Sequence, residues 1–454
     1  MDFTPQQAIL ELGDSFYDPV AAARFPQTIL RFRNDRAAVQ VGLDGLPDAE
    51  WIAHFGRFEP LKGSLQTPLA LRYHGHQFRV YNPEIGDGRG FLFAQMTDDR
   101  GRLLDLGTKG SGQTPYSRFG DGRLTLKGGV REILATEMLE ALNVETSRTF
   151  SLIETGEELH RGDEPSPTRS SVLVRMSQGH IRIGTFQRLA HFQETEALER
   201  LVAYVLRHYY GEEAGPDAPA RLLAHVATRT AKMAARFMAA GFVHGVLNSD
   251  NINVTGESFD YGPWRFAPFW EASFTAAYFD HAGLYAFGRQ PEAIYWDVMQ
   301  LAIALRQITD EEPLIAAMES FAEVYQREVT SALLWRLGVT PRSPEADRVL
   351  AGVLEKALAE TLTPIDQFFF DAFGGTLPEE YGEAFDDLRG QLAYYQPRKG
   401  RDHAYWSGTP CSMLIDEVET IWASIAESDD WAPLHAKVAA IRQMGEALGS
   451  ADGA

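Results

Sequence analysis

The chain has 454 residues, too many for one hydrophobic core, and its 44% hydrophobic and 23% charged composition is that of a soluble globular protein. A formal net charge of −21 repels phosphate backbones, which excludes a general nucleic-acid binder yet leaves room for a local basic pocket. The single cysteine, Cys411, excludes an intrachain disulfide and a cysteine-based zinc site, and is expected to be a small buried apolar residue. Apolar runs such as Leu301 to Leu305 are far too short to span a bilayer. The opening MDFTPQQAILELGDSFYDP has neither the basic start nor the apolar stretch of a signal peptide. The expectation is a cytoplasmic protein with no membrane and no nucleic acid among its partners.

In chain order, four short runs within the first 190 residues read as strands of a mostly antiparallel sheet: GFLFAQM (90–96), LLDLGTKG (103–110), TFSLIETG (149–156) and SSVLVRMS (170–177). One helix interrupts them, GGVREILATEMLEAL, with Val130, Ile133, Leu134, Met138 and Leu142 along one apolar face. From about residue 193 the character turns helical. ALERLVAYVLRHYY is followed by a polar break at GEEAGPDAPA (211–220). Next comes ARLLAHVATRTAKMAARFMAAG, which Gly241 ends as a C-terminal cap. AIYWDVMQLAIALRQI and PLIAAMESFAEVYQREVTSALLWRLG follow, and two more helical patterns start at Ser412 and Ala432. The tail GSADGA is expected to be disordered. The fold expectation is α+β: a bilobal, protein-kinase-like chain with a strand-rich lobe over 1–190, a helical lobe over 191–395 and a helical extension over 396–454.

The chemistry-bearing residues fall in the same order. IGDGRG (85–90) is a glycine-rich turn ahead of a strand, where backbone N–H groups can approach phosphate, and Arg89 adds a guanidinium. Lys109 closes a strand, and Glu132 follows on the helix, the order in which kinases place a phosphate-binding lysine and its orienting glutamate. SGQTPYSRFGDGR (111–123) offers Asp121 and Gly122 as further nucleotide contacts, and Arg175 and Arg182 flank a short turn in the same lobe. In the second lobe HGVLNSDN (244–251) and DYG (260–262) lie in register with a kinase catalytic loop and metal-binding motif, so Asn251 and Asp260 offer the hard oxygen donors that Mg²⁺ prefers. The kinase base position holds Val246, and the nearest carboxylate is Asp250. Three readings fit these residues: an enzyme with a displaced base acting at another phosphorus, a kinase transferring the γ-phosphate, and a catalytically silent nucleotide-binding module.

GHQF (75–78), GDGR (86–89), LGTKGSGQTPYSRFGDGR, VREILATEM, HGVLNSDN, DYGPW (260–264), DHAGLYAFGRQP (280–291) and Trp296 together resemble the selenoprotein O (SelO) family, protein adenylyltransferases with a pseudokinase-like fold. The resemblance runs from about residue 65 to 305. It implies that ATP binds in the orientation opposite to that in kinases, and that AMP passes to a Ser, Thr or Tyr hydroxyl of a protein while pyrophosphate leaves. By motif it assigns nucleotide contacts to Gly86, Gly88, Arg89, Lys109, Asp121, Gly122, Arg175, Arg182 and Asp260. It makes Glu132 the partner of Lys109, Asp250 the base, and Asn251 and Asp260 the ligands of Mg²⁺, with Mn²⁺ as the alternative ion. Gln113 stands where the family carries lysine, and Gly128-Gly129 where it carries two serines.

Overall fold

The computed structural model describes residues 1–162 and 164–449. Of the tail expected to be disordered, Gly449 is described and residues 450–454 lie outside the described residues.

The strand-rich lobe is built on a nine-stranded antiparallel sheet. Its main path runs Tyr17–Pro19, Leu69–Leu71, Leu92–Thr97, Leu103–Lys109, Thr168–Ser177, Arg148–Leu159, Ile29–Arg33. All seven residues of Leu103–Lys109 are buried, because both sheet faces are covered. Helix Leu126–Ala141 packs on one face, and its Val130, Ile133, Leu134 and Met138 are buried as the helical spacing predicts. The other face carries Leu104, Leu106, Val172, Val174 and Met176 against Trp51, Phe55, Phe93 and Phe150. Trp51 stacks on Phe150 at 4.8 Å between ring centroids and donates its indole N–H to Ser151 Oγ at 2.9 Å. Each such buried aromatic contributes about 1.5–3 kcal/mol.

Two corrections to the sequence reading follow. The sheet lobe holds more than one helix: Asp35–Gln40 and Asp48–Gly56 precede the central strands, and Trp51 and Phe55 of the latter form the second layer. Both helices are short, and propensity alone is a weak signal at that length. Helix Ile183–His191 also forms directly after the last central strand, ahead of the point near 193 where helical periodicity becomes plain.

The helical part is centred on Ala218–Ala240, which packs on Gln290–Leu305 and on Glu311–Arg336. It ends at Gly241, whose φ of 70° and N–H bond to Met238 O (3.0 Å) make the expected cap. Helix Thr195–Val205 runs into a wider π turn, Leu206–Tyr210, and Cys411 is buried as expected. The last helices, Ile415–Ser428 and Ala432–Leu448, return to the first lobe and pack on helix Leu126–Ala141. Arg442 forks onto the buried Glu137 at 2.6 and 2.8 Å, and Lys127 meets Glu419 at 2.7 Å. No helix among the described residues is long and apolar enough to cross a membrane.

Candidate active site

Strand register brings the cations together. Residues 105, 107 and 109 alternate onto one face of their strand, and the antiparallel register sets Leu173 opposite Lys109 and Arg175 opposite Gly107. Arg175 is therefore a diagonal neighbour of Lys109 on the same face. Gly107 carries no side chain, and His180 fills that space, bonding Arg175 Nε at 3.2 Å and facing Asp105 at 3.3 Å. Arg182 follows on the turn into helix Ile183–His191. Glu132, nearly two turns into its helix, forms an ion pair with Lys109 Nζ. Burial lowers the Lys109 ammonium from its ordinary range, and Glu132 opposes that fall.

The second lobe supplies the anions. His244 is buried and structural: its N–H donates to Gln290 Oε1 (3.0 Å) and its Nε2 meets Phe259 O (2.9 Å), which fixes the chain just ahead of Asp260. Asp260 has φ 60°, a left-handed conformation that costs an Asp about 1 kcal/mol and is held here by its partners. Arg175 and Arg182 each bond one of its carboxylate oxygens. Burial raises this carboxyl, but Arg175, Arg182 and Lys109 overcome it and hold it well below the usual range. Arg175 and Arg182 also lie over the Phe259 ring at 4.9 and 4.6 Å. Asn251 donates its amide nitrogen to Val246 O at 3.0 Å, which leaves its carbonyl oxygen as the available donor.

Asp250 is buried like Asp260 but lacks its ion pairs. It is 8% exposed, and its Oδ1 has no hydrogen-bond partner. Arg182 reaches its backbone carbonyl at 2.7 Å rather than forming an ion pair with its carboxylate. Burial accordingly pushes the Asp250 carboxyl up to about 6, with Arg182 limiting the rise.

These groups line one cleft of about 830 Å³. Gly86, Gly88, Arg89, Lys109, Asp121, Gly122, Arg175, Arg182, Asp250, Asn251 and Asp260 all border it. Glu132 is the exception and reaches the cleft only through Lys109. Val246 also lines it, with no proton acceptor on its side chain. The glycine-rich turn packs under the loop 111–123: a Cβ on Gly86 would sit 2.5 Å from the Tyr116 ring. Gln113 donates to Gly120 O at 2.9 Å and closes that loop, and Asp121 is ion-paired with Arg161 at 2.8 Å. Among the described residues no group of three or more His, Cys, Asp and Glu side chains is placed to hold a metal.

The SelO family model, described as protein adenylyltransferase SelO, matches residues 1–389. The chain belongs to the SelO family. It is 41% identical to the protein nucleotidyltransferase YdiU of Synechocystis sp., covering 96% of this chain and 97% of that one. It is 42% identical to the YdiU protein of Synechococcus elongatus over 99% of this chain and 96% of the other. In three dimensions it is similar to a Toxoplasma gondii rhoptry antigen kinase domain, with TM-score 0.30 and 10% identity over 64% of this chain and 84% of that one.

Sequence reasoning about this SelO chain missed the residues that seat Asp250. The hairpin Gly75–Gln77 with Val80–Asn82 docks on the loop before it: His76 N–H donates to Ser249 Oγ (2.7 Å) and Phe78 N–H to Asn248 Oδ1 (3.0 Å). Gly75 lies flush against Asp250, and an added Cβ would fall 2.9 Å from both its Cβ and Oδ1. Gly75 lies within GHQF, which flagged the hairpin as a family mark without revealing that it touches the loop some 170 residues on. Asp87 is a second omission. It accepts from Leu71 N–H at 3.0 Å and lies 3.6 Å from Arg182, and nothing in the spacing of GDGR separates its role from that of the glycines.

Proposed function

We propose that the chain transfers AMP from ATP to a Ser, Thr or Tyr hydroxyl of a protein and releases pyrophosphate. The observation that carries this reading is the separation of two kinds of group within one cleft. Lys109, Arg175 and Arg182 form a buried cationic cluster, while Asp250, a carboxylate of the cleft lining whose Oδ1 has no hydrogen-bond partner, has an ionisation near 6. A triphosphate tail directed at the cations leaves the α-phosphorus as the centre open to attack. The acceptor oxygen bonds to that phosphorus, its proton goes to Asp250, and the bond from the α-phosphorus to the bridging oxygen breaks. Negative charge then builds on pyrophosphate, where Lys109, Arg175 and Arg182 stabilise it. Glu132 keeps Lys109 aimed, and Arg89, Gly86, Gly88, Asp121 and Gly122 border the space for the rest of the nucleotide. A kinase reaction needs its base near the γ-phosphorus, and the kinase base position is the apolar Val246.

The donor set fits Mg²⁺ or Mn²⁺: an ionised carboxylate at Asp260 and a free amide oxygen at Asn251, which leave the rest of the shell to phosphate oxygens and water. When bound, the ion neutralises phosphate charge. The working division is a sheet lobe over 1–190, a helical lobe over 191–395 and an extension over 396–454 that braces the helix of Glu132.

The test uses ATP labelled at either the α- or the γ-phosphorus, incubated with the protein, a mixed protein acceptor and Mg²⁺. Label retained on protein from the α-position alone is the expected result. Retention from γ alone establishes a kinase, and retention from neither establishes a silent nucleotide binder.

A further inference from the structure

A second cavity, of about 570 Å³, shares no lining residue with the nucleotide cleft. It lies behind the segment that carries Asp260: Thr255 and Glu257 form one wall, and Met176 and Ser177 of a central strand another. Six cations line it on a chain whose net charge is −21. Three have their own carboxylate. Arg102 bonds Asp98 at 2.8 Å, Arg148 bonds Glu140 at 2.6 Å, and Lys232 bonds Glu145 at 2.8 Å. The other three are under-compensated. Arg229 and Arg236 stand 3.4 and 3.6 Å from the Glu145 carboxylate that Lys232 already occupies, and Arg100 has no ion pair among the described residues. The remaining carboxyl is Glu257, which accepts the Gln178 N–H at 2.7 Å. With Asp98 included, six cations face four carboxylates, an excess of two positive charges with Glu257 ionised; Glu328, which also acts on Arg236, is itself paired with Arg327 at 3.1 Å.

We propose that this cavity is a binding site for a small, multiply charged phosphate anion, with Arg100, Arg229 and Arg236 as its cationic ligands. Guanidinium forks match phosphate oxygens, and a cavity of this size holds a ligand up to a nucleotide in bulk. Burial pushes the Glu257 carboxyl up to about 7, so near neutrality it becomes a hydrogen-bond donor to such an anion rather than a repelling charge. An occupant would touch the loop that supports the Asp260 segment. Glu145 O accepts the Ser258 N–H at 2.9 Å, and the Thr146 and Tyr261 hydroxyls are hydrogen-bonded at 2.5 Å.

The experiment is calorimetric titration of the full chain with pyrophosphate, tripolyphosphate and ADP, repeated on the Arg229→Gln/Arg236→Gln double variant and on Arg229→Lys/Arg236→Lys. The expected result is one fewer binding site in the glutamine variant than in the parent, whatever the occupancy of the nucleotide cleft. Tenfold or greater weakening at that site with retention in the lysine variant would also support it. The pyrophosphate and ADP arms tell whether the anion is free or nucleotide-borne. Superimposable parent and glutamine-variant titrations overturn the proposal, as does binding of hexaglutamate without any binding of pyrophosphate. Should the glutamine variant fail to fold, a parent crystal soaked in tungstate decides the matter: density in this cavity supports the site, and density confined to the nucleotide cleft refutes it.

Discussion

Replacing Asp250 with Asn should inactivate the enzyme and stabilise the fold at the same time, through one cause. Burial moves the carboxyl from 3.8 to about 6. A base must be deprotonated, so kcat/KM should rise with pH through an apparent pKa near 6, with about one tenth of the plateau value remaining a unit below it. Asp250→Asn should lower kcat by about 10²-fold or more and abolish that acidic limb. The sign for stability follows from proton binding. The folded chain holds this proton more tightly than the unfolded chain, so as pH rises above roughly 4 the unfolded carboxyl ionises first and stability falls, until the folded carboxyl also ionises near 6. The difference of about two units corresponds to an upper figure of about 3 kcal/mol. Asparagine carries no such cost. Urea unfolding of Asp250→Asn should therefore match the parent near pH 3.5 and exceed it at pH 7.5 by up to that amount. An acidic limb that persists in Asp250→Asn, or a variant no more stable than the parent at pH 7.5, would refute the assignment of Asp250 as a desolvated base.

Glu132→Gln leaves the buried Lys109 ammonium without its counter-charge, and should cost about 3–5 kcal/mol in urea-measured stability; a loss under about 1 kcal/mol would mean that the pair does not support the lobe. Gly75→Ala introduces a Cβ 2.9 Å from Asp250 Oδ1, so kcat should fall roughly tenfold while KM for ATP stays within about twofold. An unchanged kcat would show that Asp250 need not be held there. Arg442→Ala strips the forked partner from the buried Glu137, and should cost about 2–3 kcal/mol. It should also speed amide exchange across Leu126–Ala141, and unaltered exchange in that helix would show that the extension does not brace it. Chelation of divalent ions should abolish transfer, with Mg²⁺ or Mn²⁺ restoring it. Transfer that survives chelation would remove the roles given to Asn251 and Asp260.

The central strands were legible because both faces of the sheet are covered, so their runs are apolar and bounded by glycine turns. Leu103–Lys109 and Thr168–Ser177 fall within a few residues of their expected bounds. Helices Ala218–Ala240 and Leu126–Ala141 were legible for the complementary reason, a long apolar stripe at helical spacing. The short helices Asp35–Gln40 and Asp48–Gly56 were not, since stretches of that length take their stability from the aromatic layer they complete rather than from local preference.

The site divides along the same line. Residue types in sequence order suggested Lys109, Glu132, Asn251 and Asp260, but a list of charges does not reveal which carboxylate ends up ion-paired and which is merely buried. Asp250 and Asp260 lie ten residues apart with the same side chain. Two arginines reach Asp260 and depress its ionisation, while a glycine at residue 75 closes Asp250 off from water without giving its Oδ1 a partner. The opposite shifts of these two carboxyls arise from tertiary packing alone. One is suited to remain an anion beside phosphate and metal, and the other to exchange a proton near neutral pH. A transferase of displaced base therefore needs more than an aspartate moved four residues along the loop from Val246. On the proposed assignment of Asp250 as the base, it also needs the Gly75 hairpin, which packs against that carboxylate and removes it from water.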